Sequence, residues 1–246
     1  MNISIAAESI FHIFGFPVTN SLFAAWLVMG FLVAFSLAAT RKIADVPRGI
    51  QNLLESVMEA LLKLIDSVTN DRKQSLQFFP LIATIFLFVL IGNWLGLLPG
   101  VGSIGFEEVH EGKKILVPFL RSPAADLNFT LALAIISVVI VQVVGIASIG
   151  FFKYASKFIN FSSPLNFFVG VLELISEVAK LISFSFRLFG NIFAGEVLLA
   201  VMFFLVPYLI PLPFLMLEVF VGLVQALVFS MLTLVFLKMA TMEAHH

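Results

Sequence analysis

Five ionisable side chains interrupt one long apolar segment, which runs from Pro164 to Val206 and has no proline after its first residue. They are Glu173, Glu177, Lys180, Arg187 and Glu196. A charged group at the centre of a bilayer costs about 2.5–3.5 kcal/mol, and such groups usually mark ion paths or proton relays. Carboxyl groups can take up and release protons there. Arginine stays protonated, so Arg187 can attract or repel ions but cannot relay a proton.

The spacing of these residues predicts a polar stripe along a helix. At about 100° per residue, six side chains fall within about 40° of one line. They are Glu173, Ser176, Lys180, Ser183, Arg187 and Asn191. Glu177 lies at the edge of the stripe, and Glu196 projects about 180° away from Arg187. Arg187 therefore separates two polar regions of the same helix.

A helix over 164–206 is too long to cross a membrane upright. It would extend about 64 Å at about 1.5 Å per residue, whereas the hydrocarbon core is about 30 Å thick. We expect this helix to be either broken or steeply inclined. A second apolar segment, 211–240, places Glu218 and Gln225 on one face. We expect the two segments to form a tilted helical hairpin with these groups facing its polar interior.

The composition defines the class of protein. Of the 246 residues, 61% are hydrophobic and 12% are charged, whereas soluble domains are about half apolar and a quarter charged. The chain is expected to be an all-α polytopic membrane protein with a single membrane domain. Its net charge of −1 indicates no nucleic-acid partner. The absence of cysteine excludes thiolate chemistry and cysteine metal sites.

Three more apolar segments, 20–39, 78–98 and 129–152, predict upright spans. Segment 48–73 alternates apolar and charged faces at helical spacing, with Glu59 and Lys63 as an i,i+4 pair. It predicts an amphipathic helix at the cytoplasmic interface, although a helix that docks a partner protein would show the same pattern. Residues 1–19 are expected to be a tail outside the membrane and not a signal peptide. Residues 99–127 are expected to be a polar outside loop.

Basic residues predict the orientation, because they collect on the cytoplasmic side. The loops and helix assigned to that side, with the end of the last span, contain Arg41, Lys42, Arg48, Lys63, Arg72, Lys73, Lys153, Lys157 and Lys238. The opposite loop contains Lys113, Lys114 and Arg121. We expect the N-terminus outside and the C-terminus in the cytoplasm.

The histidines do not indicate a metal site. The sequence Glu-Val-His-Glu at 108–111 lacks a second ligand at helical spacing, so zinc is not expected. His12 is interpreted as a surface residue. No function is assigned to His110, His245 or His246.

The segment SFRLFGNIFAGE, Ser185 to Glu196, resembles the signature of subunit a of the F-type ATP synthase. That protein is the membrane stator subunit that conducts ions past a rotating c-ring. The segment from Ser122 to Asn128 resembles the Pro-x-x-Asp-Leu-Asn motif of the same family. The family commonly has an acid at the position of Gly96, and this chain does not.

The resemblance implies a non-catalytic subunit without a cofactor, in a bacterial-type plasma membrane or an energy-transducing organelle membrane. Its implied partners are the c-ring, the b-type subunits of the peripheral stalk and the lipid bilayer. It would move ions, for which we expect protons, through two offset half-channels and so couple ion flow to ATP synthesis or hydrolysis. Sodium stays open as an alternative, because the rotor carboxylate lies outside this chain.

The resemblance also implies roles for individual residues. Arg187 would separate the half-channels and attract the rotor carboxylate, with Asn191 and Gln225 beside it. The outside path would be lined by Asn93, Asp126, Asn128, Glu196 and Glu218. The cytoplasmic path would be lined by Glu173, Ser176, Glu177 and Lys180.

Other interpretations of these residues stay open. Asn93 could be an ordinary interfacial amide, and Asp126 could simply cap a helix. The charges of the hairpin could form a buried network that only fixes helix packing. Rival functions are a self-contained transporter or channel, and a membrane enzyme, for which no paired nucleophile and base is visible.

Overall fold

The structure is a computed structural model that describes residues 7–41, 49–98, 100–101, 104–110, 113–158, 163–206 and 209–242. Within these ranges the elements are β1 Ser9–Ile13, β2 Phe16–Thr19, α1 Asn20–Thr40, α2 Ile50–Thr69, α3 Arg72–Leu95, β3 Gly105–His110, β4 Lys113–Pro118, a 3-10 helix Pro123–Ala125, α4 Leu127–Ile149, α5 Phe151–Phe158, α6 Pro164–Leu205 and α7 Pro211–Met242. Five helices, α1, α3, α4, α6 and α7, are long and apolar enough to cross a membrane. The predicted class, an all-α polytopic membrane protein, is confirmed.

Helix α6 is continuous over its 42 residues. Pro164 occupies its first turn, where proline is tolerated, and neither Gly190 nor Gly195 interrupts it. The alternative of a broken helix was therefore wrong. An unbroken helix of this length, about 63 Å at about 1.5 Å per residue, fits a hydrocarbon core about 30 Å thick when it is steeply inclined.

Helices α3, α4, α6 and α7 pack around a shared apolar core. Each contributes fully or nearly fully buried side chains, among them Phe86, Ala134, Leu188 and Phe229. The ring of Phe184 on α6 packs against that of Phe229 on α7, with centroids 5.0 Å apart. This packing fixes the rotation of α6 and thereby decides which of its faces is buried.

Hydrogen bonds gather the two β-hairpins and the 3-10 helix at one end of the bundle, here called the β end. Asn20 Nδ2 donates to the carbonyl of Pro118 over 3.4 Å, and Ser122 Oγ donates to the carbonyl of Gly92 over 3.2 Å. The opposite end, here called the α2 end, contains α2 and α5. There Lys238 Nζ, on the last turns of α7, donates to the carbonyl of Val68 over 2.6 Å.

Both segments expected to be irregular contain hairpins. β1 and β2 pair antiparallel within residues 1–19, and β3 and β4 pair antiparallel within residues 99–127. The β1–β2 turn places Phe14 and Gly15 at φ of 50° and 86°. Two successive positive φ values give the twist that joins antiparallel strands through a two-residue loop.

The bounds of the helices also differ from those expected. Helix α4 ends at Ile149 and not at Phe152, because Gly150 adopts φ of 89° and the chain restarts as α5. The hydroxyl of Tyr154 on α5 donates to Gln142. Its ring packs where the backbone of Gly145 leaves room, since a Cβ there would lie 2.6 Å from the ring.

Helix α2 has the expected amphipathic pattern, with Glu59 and Lys63 paired at 2.8 Å. The hydrogen bond and charge of Lys63 hold the pKa of Glu59 below its ordinary value. Both side chains are largely exposed, so this pair contributes little to stability.

Candidate functional site

Arg187 lies on an exposed face of α6. The exposed positions 182, 183, 186, 187, 190, 191 and 194 recur at helical spacing and form one strip, here called the open face. Arg187 Nη2 donates to Ser183 Oγ over 3.2 Å. Within the described ranges, no carboxylate forms an ion pair with Arg187.

The opposite face of α6 packs against the rest of the helical bundle. Leu188 and Ile192 are buried in the shared core. The hydroxyls of Ser185 and Thr130 on α4 are both buried and lie 3.1 Å apart. The buried side chains immediately behind Arg187 therefore direct its guanidinium outward.

A small recess at the β end brings two carboxylates together, one from α6 and one from α7. It is lined by Asn93, Gly96, Leu97, Ser122, Ile192, Glu196 and Glu218. Its volume of about 10 Å³ is near the minimum that holds one water molecule. The carboxylate of Glu218 lies directly against the α6 backbone at Gly195, where a Cβ would overlap it. The sequence placed both carboxylates in the hairpin but could not show that they share one recess.

Asn93 is buried in the wall of this recess and joins α3 to α7. Its Nδ2 donates to the carbonyl of Gly222 over 3.1 Å, while its Oδ1 has no partner among the described residues. The neighbouring Trp94 Nε1 donates to the carbonyl of Val219 over 3.0 Å. Asn93 is thus buried between α3 and α7 and still presents an acceptor to the recess.

Gly96, at the position where the resemblance implies an acid, packs closely against the loop. A Cβ at Gly96 would lie 2.7 Å from the Cβ of Ser122, so a larger residue would require the loop to move. The carboxylates of this region come instead from α6 and α7.

Arg121, which the sequence analysis placed only in the outside loop, pairs with the predicted site residue Glu196. Its Nε lies 3.2 Å from Glu196 Oε2, with side-chain exposures of 11% and 27%. The guanidinium carbon also lies 5.9 Å from the centroid of the Phe193 ring. The two partners are 75 positions apart in the chain, so no local pattern could reveal the pair.

Asp126 and Asn128 differ in burial and in hydrogen bonding. Asp126 is buried, caps α4 by accepting from the amide of Asn128 over 2.9 Å, and accepts from Ser21 Oγ over 2.5 Å. It thereby ties α1 to α4. The side chain of Asn128 is exposed.

The residues predicted for the cytoplasmic path lie toward the α2 end of α6. Glu173 pairs with Lys157 of α5 at 2.9 Å, and Glu177 pairs with Lys180 at 2.7 Å. Lys180 also lies over the ring of Phe236, 4.9 Å from its centroid. Three further predicted residues are uncharged: Ser176 and Asn191 are exposed, and Gln225 is half-buried.

These placements give three groups along α6. The recess with Glu196 and Glu218 lies at the β end, the pairs of Glu173 and Glu177 lie toward the α2 end, and Arg187 lies between them on the open face. Among the described residues, no group of three or more His, Asp or Glu side chains could hold a metal ion.

Comparison with known proteins decides the family. The family described as ATP synthase A chain matches residues 22–238. The chain belongs to this family. It is 32% identical to ATP synthase subunit a of Moorella thermoacetica over 93% of both chains. It is 39% identical to ATP synthase subunit a of Gloeobacter violaceus, over 87% of this chain and 80% of that one. A third relative, ATP synthase subunit a of Geobacter sulfurreducens, is 34% identical over 89% of this chain and 86% of its own.

Membership establishes the general role. The ATP synthase subunit a family is the ion-translocating, non-catalytic membrane stator of the F-type ATP synthase. The resemblance seen in SFRLFGNIFAGE is therefore confirmed. The five apolar helices agree with a multi-pass membrane protein.

Proposed function

We propose that this chain conducts protons through two half-channels that end, offset from each other, at an interface with a rotating c-ring. Arg187 separates the two. One observation carries the proposal: Glu173, Glu177 and Glu196 each pair with a basic residue of the chain, whereas Arg187 has no carboxylate partner within the described ranges and lies on the open face.

This arrangement argues against a network that only fixes packing. Such a network would pair its arginine internally, because an uncompensated charge at membrane depth is costly. A carboxylate on a rotor subunit that slides along the open face would supply the missing partner. Since the guanidinium keeps its proton, it would make the arriving carboxylate release an ion and would repel ions that cross directly.

The outside half-channel is proposed to run through the recess lined by Asn93, Glu196 and Glu218. Asn128, whose side chain is exposed, is assigned to the outer part of this path, and Asp126 shapes the segment as a helix cap. A recess near the size of one water molecule suits stepwise proton transfer between carboxyl groups better than passage of a hydrated ion, which supports protons over sodium.

The cytoplasmic half-channel is proposed to follow Glu173, Ser176, Glu177 and Lys180 along α6. Asn191 and Gln225 are assigned to the region of Arg187 where both paths meet the rotor. One charge that crosses 100 mV releases about 2.3 kcal/mol. A direct connection between the paths would dissipate this free energy, so coupling depends on the separation at Arg187.

The orientation follows from the basic residues. We propose that the β end faces outside and the α2 end faces the cytoplasm, with the N-terminus outside and the C-terminus inside. The c-ring would cover the open face of α6. The b-type subunits of the peripheral stalk and the lipid bilayer would cover other apolar surface, including α1, whose Phe31, Val33 and Leu37 are more than half exposed.

Reconstitution separates this function from that of a self-contained transporter or channel. The purified chain is placed in vesicles alone, with the c-ring, or with the complete ATP synthase, and proton flux is followed by a pH-sensitive dye. We expect flux only when the ring is present, because each half-channel of the chain opens to one side of the membrane and neither crosses it alone. Flux through the chain alone would contradict the proposal and favour the transporter.

A further inference from the structure

Arg121 reaches Glu196 from a segment that is fixed on both sides. Before it, the amide of Phe119 donates to the carbonyl of Ile104 over 3.0 Å. After it, Ser122 is buried, bonds to the carbonyl of Gly92 and packs against Gly96. The backbone that carries Arg121 therefore has little freedom to move relative to α3.

The guanidinium spans one turn of α6. Its Nε hydrogen-bonds Glu196, and its carbon lies over the ring of Phe193, three residues earlier on that helix. Contacts at two points hold a planar guanidinium in one orientation better than a single contact would. Glu196 lines the recess together with Glu218, and Arg121 is not among the residues that line it.

We propose that Arg121 is a positioning residue for proton transfer, which holds the carboxylate of Glu196 at the recess that it shares with Glu218. This inference rests on the proposed outside half-channel and adds a residue to it. Proton transfer needs donor and acceptor within hydrogen-bond reach, directly or through one water. A glutamate side chain has several rotatable bonds, so without Arg121 its carboxylate would occupy this position for a smaller fraction of the time.

The test compares Arg121→Gln in two backgrounds. Complete ATP synthase carrying each variant is reconstituted in vesicles, and ATP-driven proton uptake is measured per assembled complex. In the natural background we expect Arg121→Gln to slow uptake about 10-fold, since small misplacements of reacting groups have effects of this size or larger. Arg121→Lys keeps a cation near Glu196 but loses the planar contact with Phe193, so it should recover only part of the rate lost in Arg121→Gln.

The second background is Glu196→Asp, which keeps a carboxylate but shortens it by one methylene group and withdraws it from Arg121. There Arg121→Gln should change the rate by less than about twofold, because the two substitutions remove the same contact. An equal loss in both backgrounds would show that Arg121 acts independently of Glu196 and would overturn the proposal. If Arg121→Gln does not assemble, Arg121→Lys replaces it in both backgrounds, with the same outcomes. If Glu196→Asp is too slow to measure, Arg121→Lys decides in the natural background: a loss as large as that of Arg121→Gln would show that a cation near Glu196 is unimportant and would overturn the proposal.

Arg187→Ala in the same vesicles distinguishes failure of the role proposed for Arg121 from failure of the proposed half-channels. If Arg187→Ala abolishes coupled uptake while Arg121→Gln has no effect, only the positioning role is wrong. If coupled uptake survives Arg187→Ala, the proposed half-channels themselves are wrong.

Discussion

The carboxylate of Glu218 on α7 lies against the backbone of Gly195 on α6, at a point where no side chain could be accommodated. Gly195 is buried, and the next residue on its helix is Glu196. The missing side chain at Gly195 is therefore what allows a carboxylate from each helix to line one recess.

This relationship predicts the effect of a single methyl group. Gly195→Ala should displace Glu218 and lower ATP-driven proton uptake about 10-fold or more, because proton transfer depends on the distance between the groups. Gly30→Ala in α1 is the matched control, since nothing lies within 4 Å of a Cβ there and alanine favours a helix over glycine. Equal rates for the two variants would show that the placement of Glu218 is unimportant.

Asp126 allows its capping role to be separated from ion conduction. Asp126→Asn should keep a nearly normal rate, because asparagine caps a helix about as well as aspartate. Asp126→Ala should cost about 1 kcal/mol of stability, visible as a lower melting temperature of the purified complex. The measurements are proton uptake and thermal unfolding of both variants. A large loss of uptake in a stable Asp126→Asn complex would instead assign its carboxylate to the ion path.

The open face of α6 can be mapped with single cysteines, because the chain contains none of its own. Asn191→Cys, on the open face, should form a disulfide with a cysteine placed beside the rotor carboxylate. Leu188→Cys is the control from the same region of α6, because Leu188 is 1% exposed and lies in the core. The yield of cross-linked product on a gel is the readout, and efficient cross-linking of Leu188→Cys with none for Asn191→Cys would place the rotor elsewhere.

Local periodicity explains what could be predicted from the sequence. The apolar lengths indicated five spans, and the angular positions of Ser183, Arg187 and Asn191 indicated one common face, because both properties depend only on neighbouring residues in a helix. The open face contains these three residues, as that pattern predicted.

Contacts between distant segments explain what the sequence left undetermined. The pair of Arg121 and Glu196 depends on how a loop packs against α6, which no helical period encodes. The contact of Glu218 with Gly195 depends on the register between α6 and α7. The β1–β2 hairpin was missed because Phe14 takes a positive φ, which is rare for a bulky residue.

The central claim is that Arg187 prevents ions from crossing between the two paths without turning the rotor. Arg72→Ala is the control, since Arg72 is exposed at the α2 end and pairs with Asp66.

The decisive measurement is ATP synthesis driven by an imposed proton gradient in vesicles that contain the complete enzyme with Arg187→Ala. We predict that synthesis is lost while passive proton flux persists, and that Arg72→Ala changes neither. Proton-driven ATP synthesis at a normal rate in the Arg187→Ala enzyme would contradict the account.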